Sequence, residues 1–123
     1  MKWEIDESRP IHAQLVEDMI RRIVAGEYRP GERIASVRDL AFEAKVNPNT
    51  MQKALAELES RGILITQRTS GRFVTEDHEK IVQLKQSLSQ ELLANFVADM
   101  RNLGYTKEAI LGAVEQALKK SQI

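Results

Sequence analysis

Residues 46–62 read VNPNTMQKALAELESRG, a stretch that describes one helix with a signal at each end. Asn47 is a favourable N-cap, because its side-chain oxygen can accept a free amide N–H of the first turn. Pro48 follows at the first helical position, where its missing N–H costs nothing. Gly62 supplies the left-handed residue with which helices commonly stop. The stretch therefore predicts a helix between Asn47 and Gly62.

The predicted helix has an apolar face and a polar face. Helical spacing places four apolar residues on the core side: Met51, Ala54, Leu55 and Leu58. The opposite stripe carries two amides, a cation and a small residue: Asn49, Gln52, Lys53 and Ala56. In a major groove, amides pair with adenine, and lysine reaches guanine or phosphate. A solvated surface helix has the same pattern, so this stretch alone leaves both interpretations open.

Length and charge place limits on the class of protein. The chain has 123 residues, with 18 basic and 18 acidic side chains, enough for one domain or a domain with an appendage. A zero net charge argues mildly against nucleic-acid binding. However, residues 28–74 carry eight basic and five acidic side chains, and phosphate binding needs only a local patch.

The absence of an apolar span, a signal peptide and cysteine limits the cellular location and the redox chemistry that we expect of the protein. No apolar run approaches the roughly 20 residues of a membrane span, and the mixed, polar N-terminus does not resemble a signal peptide. Without cysteine, disulfides and thiolate chemistry are excluded. We therefore expect a cytoplasmic protein without a membrane partner.

Helix-turn-helix geometry is predicted upstream of residue 62. Pro10 opens a first helix that Gly26 ends, and Trp3 and Ile5 alternate with polar residues as a short strand would. Ser36-Val37-Arg38-Asp39 has the form of a capping box and starts a second helix. Arg38 in its first turn needs an anionic partner, either a phosphate or a nearby carboxylate, Asp39 or Glu43. A turn of about three residues then leads into the polar-faced helix.

A basic hairpin follows the third helix. Residues 63–67 are rich in β-branched side chains and predict a strand, and residues 72–75 form a second strand after a polar turn with Arg68 and Arg72 at its ends. Three helices and a basic hairpin make a winged helix. The predicted fold is thus mainly α with a small β-hairpin: a winged helix-turn-helix domain over residues 1–75 and a two-helix C-terminal dimerisation region over residues 76–123.

From Pro10 to Val74 the sequence resembles the GntR-type bacterial transcription regulators. Residues 26–41, GEYRPGERIASVRDLA, are similar to the family's Pro-Gly and Ser-x-Arg-x-Leu-Ala signature, and residues 46–64 are similar to its recognition-helix motif. Thr69 stands where the first glycine of the family's wing tip is usual. The resemblance implies DNA contacts through the following residues: Ser36, Arg38, Asn47, Asn49, Thr50, Gln52, Lys53, Arg68, Thr69, Ser70 and Arg72.

The remaining tail is similar to that of the short-tailed YtrA-type subfamily. Its apolar residues recur at three- and four-residue steps along one long helix, which Gly104 breaks before Thr106 caps another. Two helices alone cannot bury so wide an apolar surface. The stripe is therefore expected to form a homodimer interface: Ile81, Leu84, Leu88, Leu92, Phe96, Met100 and Leu103.

The sequence predicts a homodimeric transcription regulator, most simply a repressor, that binds double-stranded DNA at an inverted repeat. His12 and His78 lie far apart and no catalytic or nucleotide-binding motif is present, so no enzyme activity, metal or cofactor is expected. Two alternatives remain: a winged helix used for protein–protein assembly, and a regulator that senses a small molecule in a pocket at the dimer interface. The sequence identifies neither operator nor effector.

Overall fold

The computed structural model describes residues 2–121 and contains five helices and one hairpin. The helices are α1 (Ile11–Val24), α2 (Val37–Ala44), α3 (Pro48–Ser60), α4 (His78–Asn102) and α5 (Lys107–Ser121). The strands, β1 (Leu64–Gln67) and β2 (Gly71–Val74), are antiparallel. The predicted fold class is confirmed. None of these helices combines the length and apolar character that crossing a bilayer requires.

The chain forms two compact units, residues 1–85 and 86–123. The core of the first unit is built from α1, α2, α3 and the hairpin, and its most deeply buried side chains include Leu15, Met19, Leu40, Met51, Leu55, Leu58, Ile63, Leu64 and Val74. The start of α4 belongs to this unit, where Ile81 and Leu84 pack against the core. The core therefore fixes three helices and both strands of the wing relative to one another.

The capping signals act as predicted. The Asn47 side chain accepts a 2.7 Å hydrogen bond from the Asn49 backbone N–H, and Pro48 opens α3. Gly62 follows α3 with a φ of 73°. Ser36 accepts from the Asp39 backbone N–H at 3.1 Å. Both helices of the helix-turn-helix are thus defined by local chemistry.

The turn between α2 and α3 contains a conformation that the sequence did not indicate. Lys45 ends α2 in the left-handed region, with a φ of 58°. Its backbone N–H bonds back to the carbonyls of Ala41 and Phe42. This position is usually glycine, because a Cβ is disfavoured there. The tight turn is thus maintained by hydrogen bonds and by the packing of both helices.

The segment after α1 is more ordered than the predicted loop. The Gly31 N–H donates to the Val74 carbonyl at 2.9 Å, and the Val74 N–H donates to the Glu32 carbonyl at 2.8 Å. The Ile34 N–H donates to the Arg72 carbonyl at 3.0 Å. Residues 31–34 therefore extend the hairpin along the free edge of β2. This pairing joins positions about 40 residues apart, which local sequence patterns do not reveal.

The strand predicted around Trp3 and Ile5 is wrong. Residues 2–5 form no strand, and the Arg22 guanidinium lies 4.0 Å from the centre of the Trp3 ring. Arg22 is nearly fully buried and pairs with Asp18 and Glu27. A cation–π contact and packing on the core, rather than a β-ladder, thus hold this segment.

We predict that Asn47→Ala lowers the free energy of unfolding by about 1 kcal/mol, because it removes the N-cap of α3. Asn47→Ser keeps an acceptor at the cap and should recover most of this loss. Asn49→Ala is the matched control, since the Asn49 backbone N–H donates to the cap and its side chain is exposed. Denaturant unfolding of the three variants measures the difference. An equal loss in all three would contradict the capping role.

Candidate nucleic-acid interface

Helix α3 presents a polar surface to solvent. Asn49, Gln52, Lys53 and Ala56 are exposed, and the opposite face is buried in the core. Asn49 lies at the N-terminal end, the part of a recognition helix that enters a major groove. Lys53 follows one turn later. The exposed side chains thus offer amide donors and acceptors and one positive charge to a ligand that lies along α3.

Asn47 and Thr50 differ from these exposed residues. The side-chain oxygen of Asn47 already accepts a hydrogen bond at the cap of α3, which leaves one lone pair of that oxygen and the amide NH2 for another partner. Thr50 is partly buried in the first turn. Both residues lie beside the polar face, but Asn47 contributes chiefly to the stability of α3.

Arg38 is exposed in the first turn of α2. Within residues 2–121, neither Asp39 nor Glu43 forms an ion pair with it. The sequence left two anionic partners open for Arg38, a phosphate or a nearby carboxylate. Among the residues that the structure describes, there is no ion pair between Arg38 and a nearby carboxylate. The guanidinium remains available to an external anion such as a phosphate oxygen.

A basic cleft lies between the segment that precedes α2 and the hairpin. It has a volume of about 460 Å³, and the side chains that line it include four arginines and the capping serine: Arg33, Ser36, Arg38, Arg68 and Arg72. The pairing of residues 31–34 with β2 brings these positions together. A concentration of guanidinium groups at one surface attracts phosphate even though the chain has no net charge.

Arg33 belongs to this cleft, although we did not predict it as a site residue. Its side chain passes over Gly71, where an added Cβ would lie 3.0 Å from the Arg33 Nε. The antiparallel β-bridge between Arg33 and Phe73 sets this position. The sequence shows only an arginine in a predicted loop, so the missing signal was the strand pairing.

The tip of the wing retains a compact turn without its usual first glycine. Arg68, Thr69 and Ser70 are exposed, and the Ser70 N–H donates to the Gln67 carbonyl at 3.1 Å. Gly71, with a φ of 109°, provides the positive dihedral angle that the turn needs. The tip therefore carries one cation and two hydroxyl groups that suit backbone phosphate.

Arg72 faces α3 rather than open solvent. Its Nε donates to Glu59 Oε1, and its Nη2 lies 3.4 Å from Gln52 Oε1. Burial of Glu59 acts to raise the pKa of its carboxyl, but hydrogen bonds from Arg72 and Thr66 and the Arg72 charge lower the pKa below its usual value. At neutral pH Glu59 is thus a stable anion that holds Arg72 against α3.

The seven residues predicted for dimerisation divide between the two units. Ile81 and Leu84 pack on the core of the first unit. In the second unit Leu88 and Met100 are partly buried, while three residues remain exposed: Leu92, Phe96 and Leu103. The described residues include no group of three or more histidine or carboxylate side chains arranged as metal ligands.

Two linked helices, a paired wing and a polar recognition face beside an arginine cleft define a winged helix-turn-helix DNA-binding transcription regulator. Residues 11–74 match the bacterial regulatory proteins of the gntR family, and the chain belongs to that family.

Two relatives from Bacillus subtilis (strain 168) match nearly the whole chain. The HTH-type transcriptional regulator YhcF is 39% identical over 115 residues, which are 94% of this chain and 95% of YhcF. The HTH-type transcriptional repressor YtrA is 34% identical over 104 residues, which are 84% of this chain and 80% of YtrA. Similarity thus extends beyond the DNA-binding domain.

Solved structures show the same architecture. A GntR family transcriptional regulator from Listeria monocytogenes has a TM-score of 0.85 and 41% identity, covering 91% of this chain and 98% of that one. The DNA-binding domain of AraR, in complex with operator ORX1, has a TM-score of 0.52 and 28% identity over 61% of this chain and 92% of that one. The predicted family is confirmed.

We predict that Arg38→Ala and Arg33→Ala each weaken binding to all DNA sequences and reduce the slope of log K against log salt concentration by about 0.9. This is the change expected when one phosphate contact and its counterion release are lost. Arg29→Ala is the matched control, since Arg29 is exposed but is not among the residues that line the cleft. Fluorescence anisotropy at several salt concentrations measures the slopes. An unchanged slope would remove that arginine from the phosphate contacts.

Proposed function

We propose that this protein is a homodimeric repressor that binds an inverted-repeat operator. The observation that carries the proposal is the exposed amide and lysine face of α3 beside a cleft lined by four arginines. A protein bound to an operator that overlaps a promoter blocks RNA polymerase, which is how such a protein would repress transcription. Repression is also supported by YtrA, a relative of similar length that is named a repressor. Such a protein acts in the bacterial cytoplasm, where the chromosome lies.

The proposed DNA contacts fall into two groups. Asn49, Gln52 and Lys53 lie on the face of α3 that would enter the major groove and read base edges. The cleft and wing would bind the phosphate backbone and set the position of α3: Arg33, Ser36, Arg38, Arg68, Thr69 and Ser70. An apolar face would favour the rival function, protein–protein assembly, but the exposed face of α3 carries Asn49, Gln52 and Lys53, and its apolar members are only the small residues Pro48 and Ala56.

The homodimer is supported by the exposed apolar surface of the second unit. Among the described residues of that unit, Ile110 is the one that is buried. Leu92 is 48% exposed and Leu103 is 74% exposed, with Leu93, Leu111 and Leu118 also exposed. Helices seldom hold their structure without packing partners, and apolar surface of this extent marks an interface. A second copy would cover it and would supply the second DNA-binding domain that an inverted repeat requires.

Sequence readout by α3 is tested with purified protein and a library of randomised duplexes. We expect wild-type protein to select a two-fold symmetric site. Gln52→Ala and Asn49→Ala should relax the preference at one or two base pairs per half-site, each by about 1–3 kcal/mol, with little change in melting temperature. Arg29→Ala, which changes an exposed side chain outside α3 and outside the arginine cleft, is the control. If both amide variants keep wild-type preferences, readout by α3 is wrong.

The dimer is tested by light scattering. Wild-type protein should have about twice the 14.0 kDa mass of one chain. Leu92→Asp should dissociate it, because the dimer would bury an unpaired carboxylate. Gln90→Asp places the same charge on an exposed position of α4 outside the apolar stripe, so the dimer should persist. A wild-type mass of one chain at micromolar concentration would contradict the proposal.

A further inference from the structure

Three side chains connect the wing to the base-reading face of α3. Glu59, near the end of α3, accepts from Arg72 Nε, and Arg72 Nη2 lies 3.4 Å from Gln52 Oε1. Thr66 is the cross-strand partner of Arg72. Arg72 therefore has one end anchored by a carboxylate and the other end directed at the side chain of Gln52.

The chemistry of a guanidinium fixes which end of the Gln52 amide faces it. Arginine has five N–H donors and no acceptor, so only the amide oxygen can point toward Arg72. The amide NH2 must then point away from Arg72. A separation of 3.4 Å is longer than the usual 2.9–3.0 Å of a strong bond, so the contact favours one amide orientation without locking it.

Anchoring makes this weak contact effective. The Arg72 side chain is only 20% exposed, and its charge-assisted pair with Glu59 restricts its motion. Arg72 is thus already ordered, so that little further side-chain entropy is lost when it contacts Gln52. Use of Arg72 as a phosphate anchor would instead require it to leave Glu59 and expose that carboxylate near the DNA.

We infer that Arg72 is a positioning residue that presents Gln52 to DNA as a hydrogen-bond donor. The Arg72 contact uses one of the two lone pairs of the amide oxygen and turns that oxygen toward the wing. The two-bond pair with adenine needs a donor and an acceptor that both face the base, so this orientation disfavours it. The amide NH2 suits guanine instead, because guanine exposes two neighbouring acceptors, N7 and O6, in the major groove. The base class selected by Gln52 is therefore guanine over adenine. This inference rests on the proposed DNA readout by α3.

The test is selection from a randomised duplex library with Arg72→Gln. Loss of the guanidinium frees the Gln52 oxygen, so the guanine-to-adenine ratio at the base pair read by Gln52 should fall on the order of tenfold, the discrimination typical of a bidentate pair. The salt slope should match wild type, because an Arg72 that stays paired with Glu59 makes no phosphate contact to lose. Glu59→Gln keeps Arg72 but removes its anchor, and should shift the same base pair in the same direction.

Arg61→Gln is the matched control. Arg61 follows the last residue of α3, and its Nη1 pairs with Glu57 Oε2 at 3.6 Å rather than with Gln52, so the base preference should stay as in wild type. A purely structural role for Arg72 would lower the melting temperature and leave the ratio unchanged. A shift in the ratio caused by Arg61→Gln would show that loss of any nearby charge produces it, and would overturn the inference.

The background variant Gln52→Ala separates the remaining outcomes. In that background Arg72→Gln should cause no further change at the base pair. A change that persists in this background would mean that Arg72 itself reads the base. A salt slope reduced by about 0.9, with an unchanged guanine-to-adenine ratio, would mean that Arg72 anchors phosphate. Either result overturns the inference. If wild-type protein selects no duplex at all, the proposed function itself fails.

Discussion

Burial of one face of α3 is the constraint on which the rest of the structure depends. Met51, Ala54, Leu55 and Leu58 lie almost fully out of solvent at the centre of the first unit. A rotation of α3 about its axis would expose these side chains, and each fully buried leucine or methionine side chain contributes about 1.5–3 kcal/mol. The same constraint fixes the opposite face, so that Asn49, Gln52 and Lys53 are held toward solvent. Stability and DNA recognition thus depend on one helix orientation.

The arginine cleft depends on a second constraint, the hydrogen bonds between residues 31–34 and β2. They bring together arginines from two distant parts of the chain, Arg33 and Arg38 before and within α2, and Arg68 and Arg72 in the wing. Backbone pairing can do this reliably, because its geometry does not depend on which side chains it aligns. A chain without net charge thereby gains a basic surface where the recognition helix needs one.

Arginines that the sequence alone does not distinguish have different roles in the fold. Arg22 is buried over Trp3 and pairs with carboxylates of its own and the following segment. Arg72 is held by Glu59, whereas Arg38 has no ion-pair partner among residues 2–121. The difference lies in the ion pairs that the fold forms. An arginine that pairs with a carboxylate is held within the protein, and an arginine without such a pair is available to phosphate.

The sequence by itself determined the helices of the DNA-binding domain, their caps, the hairpin and the two faces of α3, because these follow from local chemistry and helical periodicity. It also predicted most of the basic positions near the cleft. It did not determine the left-handed Lys45, the loop around Trp3, the strand pairing that adds Arg33, or the engagement of Arg72 by Glu59. These depend on contacts between residues far apart in the chain, and only the packed tertiary structure brings those residues within hydrogen-bonding distance.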